Sequence, residues 1–164
     1  MTFRSLALLA CAVALAACEK NGVQDITGIT PGASVMFFNF GVGAPGVNFY
    51  ANDTKMTAIA SSSGEESTKG TNYGKVGAGG NYTGIVPGQY TLSGKIAAET
   101  DKNLAISSLS ASLEDGKSYS FFQSGAYDPV AKTVDAFIVD DPLPATDFSV
   151  AYVRFVNASS NADP

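Results

Sequence analysis

Gln89-Tyr90-Thr91-Leu92-Ser93-Gly94-Lys95-Ile96-Ala97 places Tyr90, Leu92 and Ile96 on one side of an extended chain and Thr91, Ser93 and Lys95 on the other. A period of two belongs to a half-buried strand. The next apolar stretch, Leu104–Leu113, starts with Leu104 and Ile106 on one face and ends with Leu109, Ala111 and Leu113 on the opposite parity. A strand changes faces only by gaining a residue, so this predicts a bulge or bend near Ser107-Ser108. Glu114-Asp115-Gly116-Lys117 reads as a turn, followed by strands at Ser118–Gln123 and Thr133–Val139 joined through Gly125–Lys132. Upstream, Asn81–Ile85 precedes Pro87-Gly88, a pair suited to the centre of a type II turn. Ser34–Phe40 is a strand, and Val47–Ala51 pairs with Lys55–Ala60 across Asn52-Asp53. Val150–Ala158 reads as the last strand. Short strands at this spacing predict an all-β fold, an antiparallel β-sandwich of immunoglobulin-like or related Greek-key type.

The chain has 164 residues, a net charge of −5, 15% charged residues, no His and no Trp. Without His there is no imidazole base, no His-containing triad and no His metal ligand. The acidic balance argues against a nucleic-acid partner.

The N-terminus carries Arg4, an apolar run Leu6–Ala17 and then Cys18. A bilayer-spanning helix needs about 20 apolar residues, so the run is too short to span and fits a secretory signal. Leu15-Ala16-Ala17-Cys18 resembles a bacterial lipobox, which implies cleavage before Cys18 and lipid on its sulfur. Each buried acyl methylene contributes roughly 0.8 kcal/mol, so several chains hold a protein to a membrane where one does not. Cys11 would leave with the leader, and the mature domain would hold no disulfide. Glu19, where Asp in such lipoproteins implies inner-membrane retention, favours the outer membrane of the envelope. The expected organisation is residues 1–17 as signal peptide, 18–32 as lipidated Cys and Gly- and Pro-containing tether, 33–150 as sandwich, and 151–164 as a terminal strand or the start of a truncated second repeat.

Residues 61–80 hold six Gly, and read as a surface excursion or a binding loop with Tyr73 as its contact residue. Ala33-Ser-Val-Met-Phe-Phe-Asn39 and Ala151-Tyr-Val-Arg-Phe-Val-Asn157 share Ala, Val, Phe and Asn in register, and adding Ala44 and Ala162 gives five identities in twelve positions. An offset of 118 residues suits one sandwich module, hence the expectation of a second one beginning at 151.

Residues 151–164 resemble the opening signature of the uncharacterised bacterial family catalogued as domain of unknown function 4397. Val35–Asn39, Gly43-Ala-Pro-Gly46 and Val47-Asn-Phe-Tyr50 form a first copy of that signature. Pro87-Gly-Gln-Tyr-Thr-Leu92, Asp115-Gly-Lys-Ser-Tyr-Ser120 and Val139-Asp-Asp-Pro142 are similar to its later turns and strands. Met36, Phe38 and Asn48 depart from the pattern. The resemblance implies a β-sandwich on secreted or lipid-anchored proteins, and it carries no catalytic residues.

The acidic doublets are Glu65-Glu66, Glu114-Asp115 and Asp140-Asp141. A carboxylate-dependent hydrolase needs two carboxyls facing across a cleft, and neighbours in a turn do not face each other. Asp135, Asp140, Asp141 and Asp147 offer oxygens to calcium without an EF-hand spacing, so Asp140 and Asp141 are a weak calcium alternative. Gly77-Ala-Gly-Gly80 lacks the Lys-Ser/Thr and helix of a phosphate loop. With no Trp, sugar stacking would fall to exposed tyrosines, and Tyr73, Tyr82 and Tyr127 are the candidate binding residues. The expectation is a lipid-anchored, non-catalytic envelope protein without a cofactor, with a protein or glycan partner. The alternative is an assembly subunit that docks by adding a strand.

Overall fold

The computed structural model describes residues 32–57, 65–142, 144–145 and 147–159. Cys18 and the leader lie outside them. Among the described residues, nine strands form two sheets. The first sheet contains β1 (Ala33–Asn39), β4 (Lys75–Val76), β5 (Thr83–Ile85), β8 (Ser118–Asp128) and β9 (Thr133–Asp140), in the order β4-β1-β8-β9 with β5 also on β1. The second contains β2 (Val47–Ala51), β3 (Thr54–Lys55), β6 (Gly88–Ile96) and β7 (Ala105–Leu113), in the order β3-β2-β6-β7. The expected β-sandwich is present. One pairing is not antiparallel: β1 runs parallel to β8, with Phe37 beside Phe121 and Asn39 beside Gln123. Parallel neighbours need a crossover, and here it passes through the whole second sheet.

The core lies between the sheets. Alternation sends Ala33, Val35, Phe37 and Asn39 of β1 inward, all buried. Phe37 and Phe121 of the first sheet meet Phe49 of the second, with ring centroids 5.1–5.9 Å apart. Leu92, Ile96, Ile106 and Leu113 complete that layer from β6 and β7. The parity switch in β7 is real. The register slips between Gly94 and Lys95, which pair with Ser107 and Ala105 and leave Ile106 extra. Ile106 and Ser107 are therefore both buried, and the bulge sits one residue before the predicted place.

Polar groups also cross the core. Gln123 Nε2 donates to Asn39 Oδ1 at 2.9 Å, and Ser107 Oγ donates to Gln123 Oε1 at 2.9 Å. Ser107 Oγ accepts from Gly94 N, and Asn39 Nδ2 donates to the Thr71 carbonyl at 2.8 Å. The three side chains involved, Asn39, Gln123 and Ser107, are buried, as is Thr71, and a polar group there needs a partner.

Several boundaries differ from expectation. The Asn52-Asp53 hairpin forms, with Asn52 at φ 53°; among the described residues its return side makes ladder pairs at Thr54–Lys55 and Met56 N adds a bond to the Phe49 carbonyl, while residues 58–60 lie outside the described set. Gly88 has φ 158° and starts β6 opposite Leu113, so Pro87-Gly88 makes no type II turn. β8 continues beyond Gln123 to Asp128. Residues 70–80 are not a free excursion: Thr71 bridges Val47, β4 pairs with β1, and Gly77–Gly80 forms a short 3-10 turn. Their anchor is Asn39, whose carbonyl also accepts from Gly74 N. Residues 150–158 form no strand. Instead Arg154 reaches from this segment to Asp141 and Ser120.

Phe121→Ala should lower the unfolding free energy in urea by about 3–5 kcal/mol, because a ring between two others leaves a cavity. Gly94→Ala should also destabilise, by roughly 1–3 kcal/mol, since its Cβ would meet Gln123 Oε1 and lie 2.8 Å from Ser107 Oγ.

Candidate functional site

The side of the first sheet away from the core is rich in aromatic groups. Strand alternation turns Phe38 outward from β1, Phe122 from β8 and Phe137 from β9, and Phe40 follows β1 on the same side. Phe38 stacks on Phe122 at 4.5 Å, and Phe122 on Phe137 at 4.9 Å. Phe40 closes the row, 5.6 Å from Phe38 and 6.0 Å from Phe122. Phe122 is buried under its neighbours, whereas Phe38, Phe40 and Phe137 remain half-buried.

A polar cluster adjoins this row. Asp141, whose side chain is 1% exposed, accepts at Oδ2 from Tyr82 Oη at 2.7 Å and from Ser120 Oγ at 2.6 Å. Arg154 Nη1 donates to Asp141 Oδ1, and Nη2 donates to Ser120 Oγ at 2.9 Å. A buried carboxylate is tolerated because three donors replace its water. Tyr82, Asp141, Pro142, Pro144, Tyr152 and Arg154 line an open groove of about 490 Å³ there. A second hollow, between Phe40, Val42 and Tyr73 on one side and Phe155–Ser159 on the other, lies toward the far end of β1.

The sequence-predicted tyrosines do not gather. Tyr73 is exposed near the Asn39 end of β1, and Tyr82 lies toward the Ala33 end. Tyr127 sits on β8, half-buried against the core, rather than in a loop. Asp140 and Asp141 also part company. Asp140 reaches Lys117, which Glu114 also approaches, each at 3.1 Å. Hydrogen bonds to these two carboxylates keep the Lys117 ammonium protonated to higher pH than usual. Glu66 bonds Lys55 at 2.6 Å and accepts from Asn48. Each of these carboxylates thus bonds a cation or a polar side chain, and Asp140 and Glu114 share one ammonium. Among the described residues no group of three or more acidic or Cys side chains is placed to hold a metal ion. Sequence reasoning missed Tyr82–Asp141–Ser120–Arg154, since its members lie up to 72 positions apart and only Tyr82 and Asp141 had been singled out.

A family model described as Domain of unknown function (DUF4397) matches residues 33–164. The chain belongs to this family. The match runs from the first residue of β1 past Arg154, so the sandwich and the groove both lie within DUF4397 sequence. No curated protein and no solved structure matches the chain.

Arg154→Ala should free the segment after Pro142 while sparing the sandwich. Limited proteolysis should then cut between residues 144 and 155 several-fold faster, with little change in the midpoint of thermal unfolding. Asp141→Ala should cost about 1–3 kcal/mol of stability in a denaturant melt, because it strips partners from Tyr82, Ser120 and Arg154 together.

Proposed function

We propose that this DUF4397 protein is a lipid-anchored, non-catalytic sandwich of the bacterial envelope, which presents the outer face of its first sheet for surface binding, adhesion or architecture. The observation that carries this reading is Leu15-Ala16-Ala17-Cys18, followed in the sequence by a polar stretch with Gly and Pro and then by a β-sandwich. The Cys18 sulfur would carry the lipid, and Glu19 favours the outer membrane. Two features support a binding role. The half-buried Phe38, Phe40 and Phe137 lie outside the core, and apolar surface of that kind marks contact sites. The adjoining groove offers Tyr82, Tyr152 and Arg154 beside two prolines, a mixture of flat apolar and hydrogen-bonding groups suited to a protein or glycan partner.

Cell fractionation and detergent phase separation test the anchor. The wild-type chain should partition with membranes and into the detergent phase, and should incorporate labelled palmitate. Cys18→Ser should move it to the aqueous phase without label. An unchanged distribution of the variant would overturn the reading.

A further inference from the structure

The relation between Ala33–Asn39 and Ala151–Asn157 is sharper in space than in sequence. β1 has four inward positions, Ala33, Val35, Phe37 and Asn39, each 2% exposed or less. The four identities with 151–157 fall on these positions: Ala151, Val153, Phe155 and Asn157. All three outward positions differ, with Tyr152, Arg154 and Val156 in place of Ser34, Met36 and Phe38. What recurs is the side of the strand that fits the slot, including its polar member. Asn39 satisfies Gln123 Nε2 and the Thr71 carbonyl inside the core, a role that only an amide of that length fills. Yet Val153 and Phe155 are 93% and 89% exposed. Exposed side chains in that pattern lack the burial that a core strand requires.

We propose that Ala151–Asn157 is a second β1-type strand, a donor whose receptor is the β1 slot of a sandwich of this same architecture. The slot is the space beside β8, bounded by Phe49, Phe121 and Gln123, with β4 and β5 on its far side. In it, Tyr152 stands opposite Ser118, Phe155 fills the place between Phe49 and Phe121, and Asn157 takes the bonds of Asn39. In this chain β1 holds the slot, so the donor lies on the outer face, tied there by Arg154. The receptor is therefore a sandwich whose own first strand is missing or displaced. Here the donor supplies strand pairing and a ready-made inward face together.

A variant of the full chain provides such a receptor. With Cys11 and Cys18 replaced by Ser, and in detergent, V35D/F37D puts two carboxylates at fully buried sites of β1 and ejects it. The expected result is a protein that still unfolds cooperatively with strand-type circular dichroism, because the donor occupies the slot. It would be a monomer if its own donor does so, or a head-to-tail oligomer if a second copy's does. Adding F155D should abolish cooperative unfolding, whereas F155D alone should leave it unchanged. In the V35D/F37D background, S118C/Y152C should form a disulfide under mild oxidation, and its absence would refute the register. Unfolding of V35D/F37D itself, or equal folding with and without F155D, would overturn the proposal.

Discussion

Two sheets of a sandwich must be held in one mutual register, and here hydrogen bonds cross the core beside the aromatic rings. Gln123 of the first sheet joins Asn39 of its neighbour to Ser107 of the opposite sheet. A buried amide that lost either partner would cost more than the bond is worth, so these contacts select one alignment rather than merely favouring compactness. Other features follow from them. Ser107 faces inward because Ile106 is bulged out of the ladder. Gly94 lies opposite because a side chain there would collide with Gln123. Thr71 is held against Asn39, which ties the glycine-rich segment to the sheet.

The outer face is governed by a different balance. Its aromatic row shields Phe122 but leaves three rings half-buried, a cost that an ordinary solvent face avoids with polar residues. Beside it, the Asp141 carboxylate is dry and depends on Tyr82, Ser120 and Arg154. One of these donors comes from a segment with no ladder of its own. The site and the tail therefore depend on each other: Arg154 completes the shell of Asp141, and Asp141 fixes where the tail lies. Arg154 thus joins the tail to the sandwich through side-chain bonds and not through a strand ladder.

Much of the fold was legible because a strand writes its environment into alternate residues. Residues 89–97 show this plainly, and the parity change in 104–113 announced the bulge within one position. The parallel pairing was not legible, yet a trace of it exists. Phe37-Phe38-Asn39 and Phe121-Phe122-Gln123 are the same inward, outward, inward pattern, and the structure aligns them residue for residue. The glycine content of 61–80 suggested freedom, whereas three backbone contacts to residues 39 and 47 fix its second half. The site was the least legible part. Tyr82, Ser120, Asp141 and Arg154 carry no local periodicity, and only the packing of the first sheet brings them together. Val150–Ala158 has the alternation of a strand, but alternation states what a segment could fit, not whether the place is free.

The pairing of β1 with β8 also orders events in time. Ser34 and Ser118 touch across 84 positions of sequence, and Asn39 and Gln123 across another 84. Contacts so far apart in the chain form slowly, since a large loop must close before they repay its entropy. As the polypeptide emerges from a ribosome, β1 comes out early and can meet β4 and β5, but its other edge has no partner until residues 118–123 arrive. The sandwich is thus a late-closing structure, and the β8-facing edge of its leading strand is the piece that waits longest for its partner.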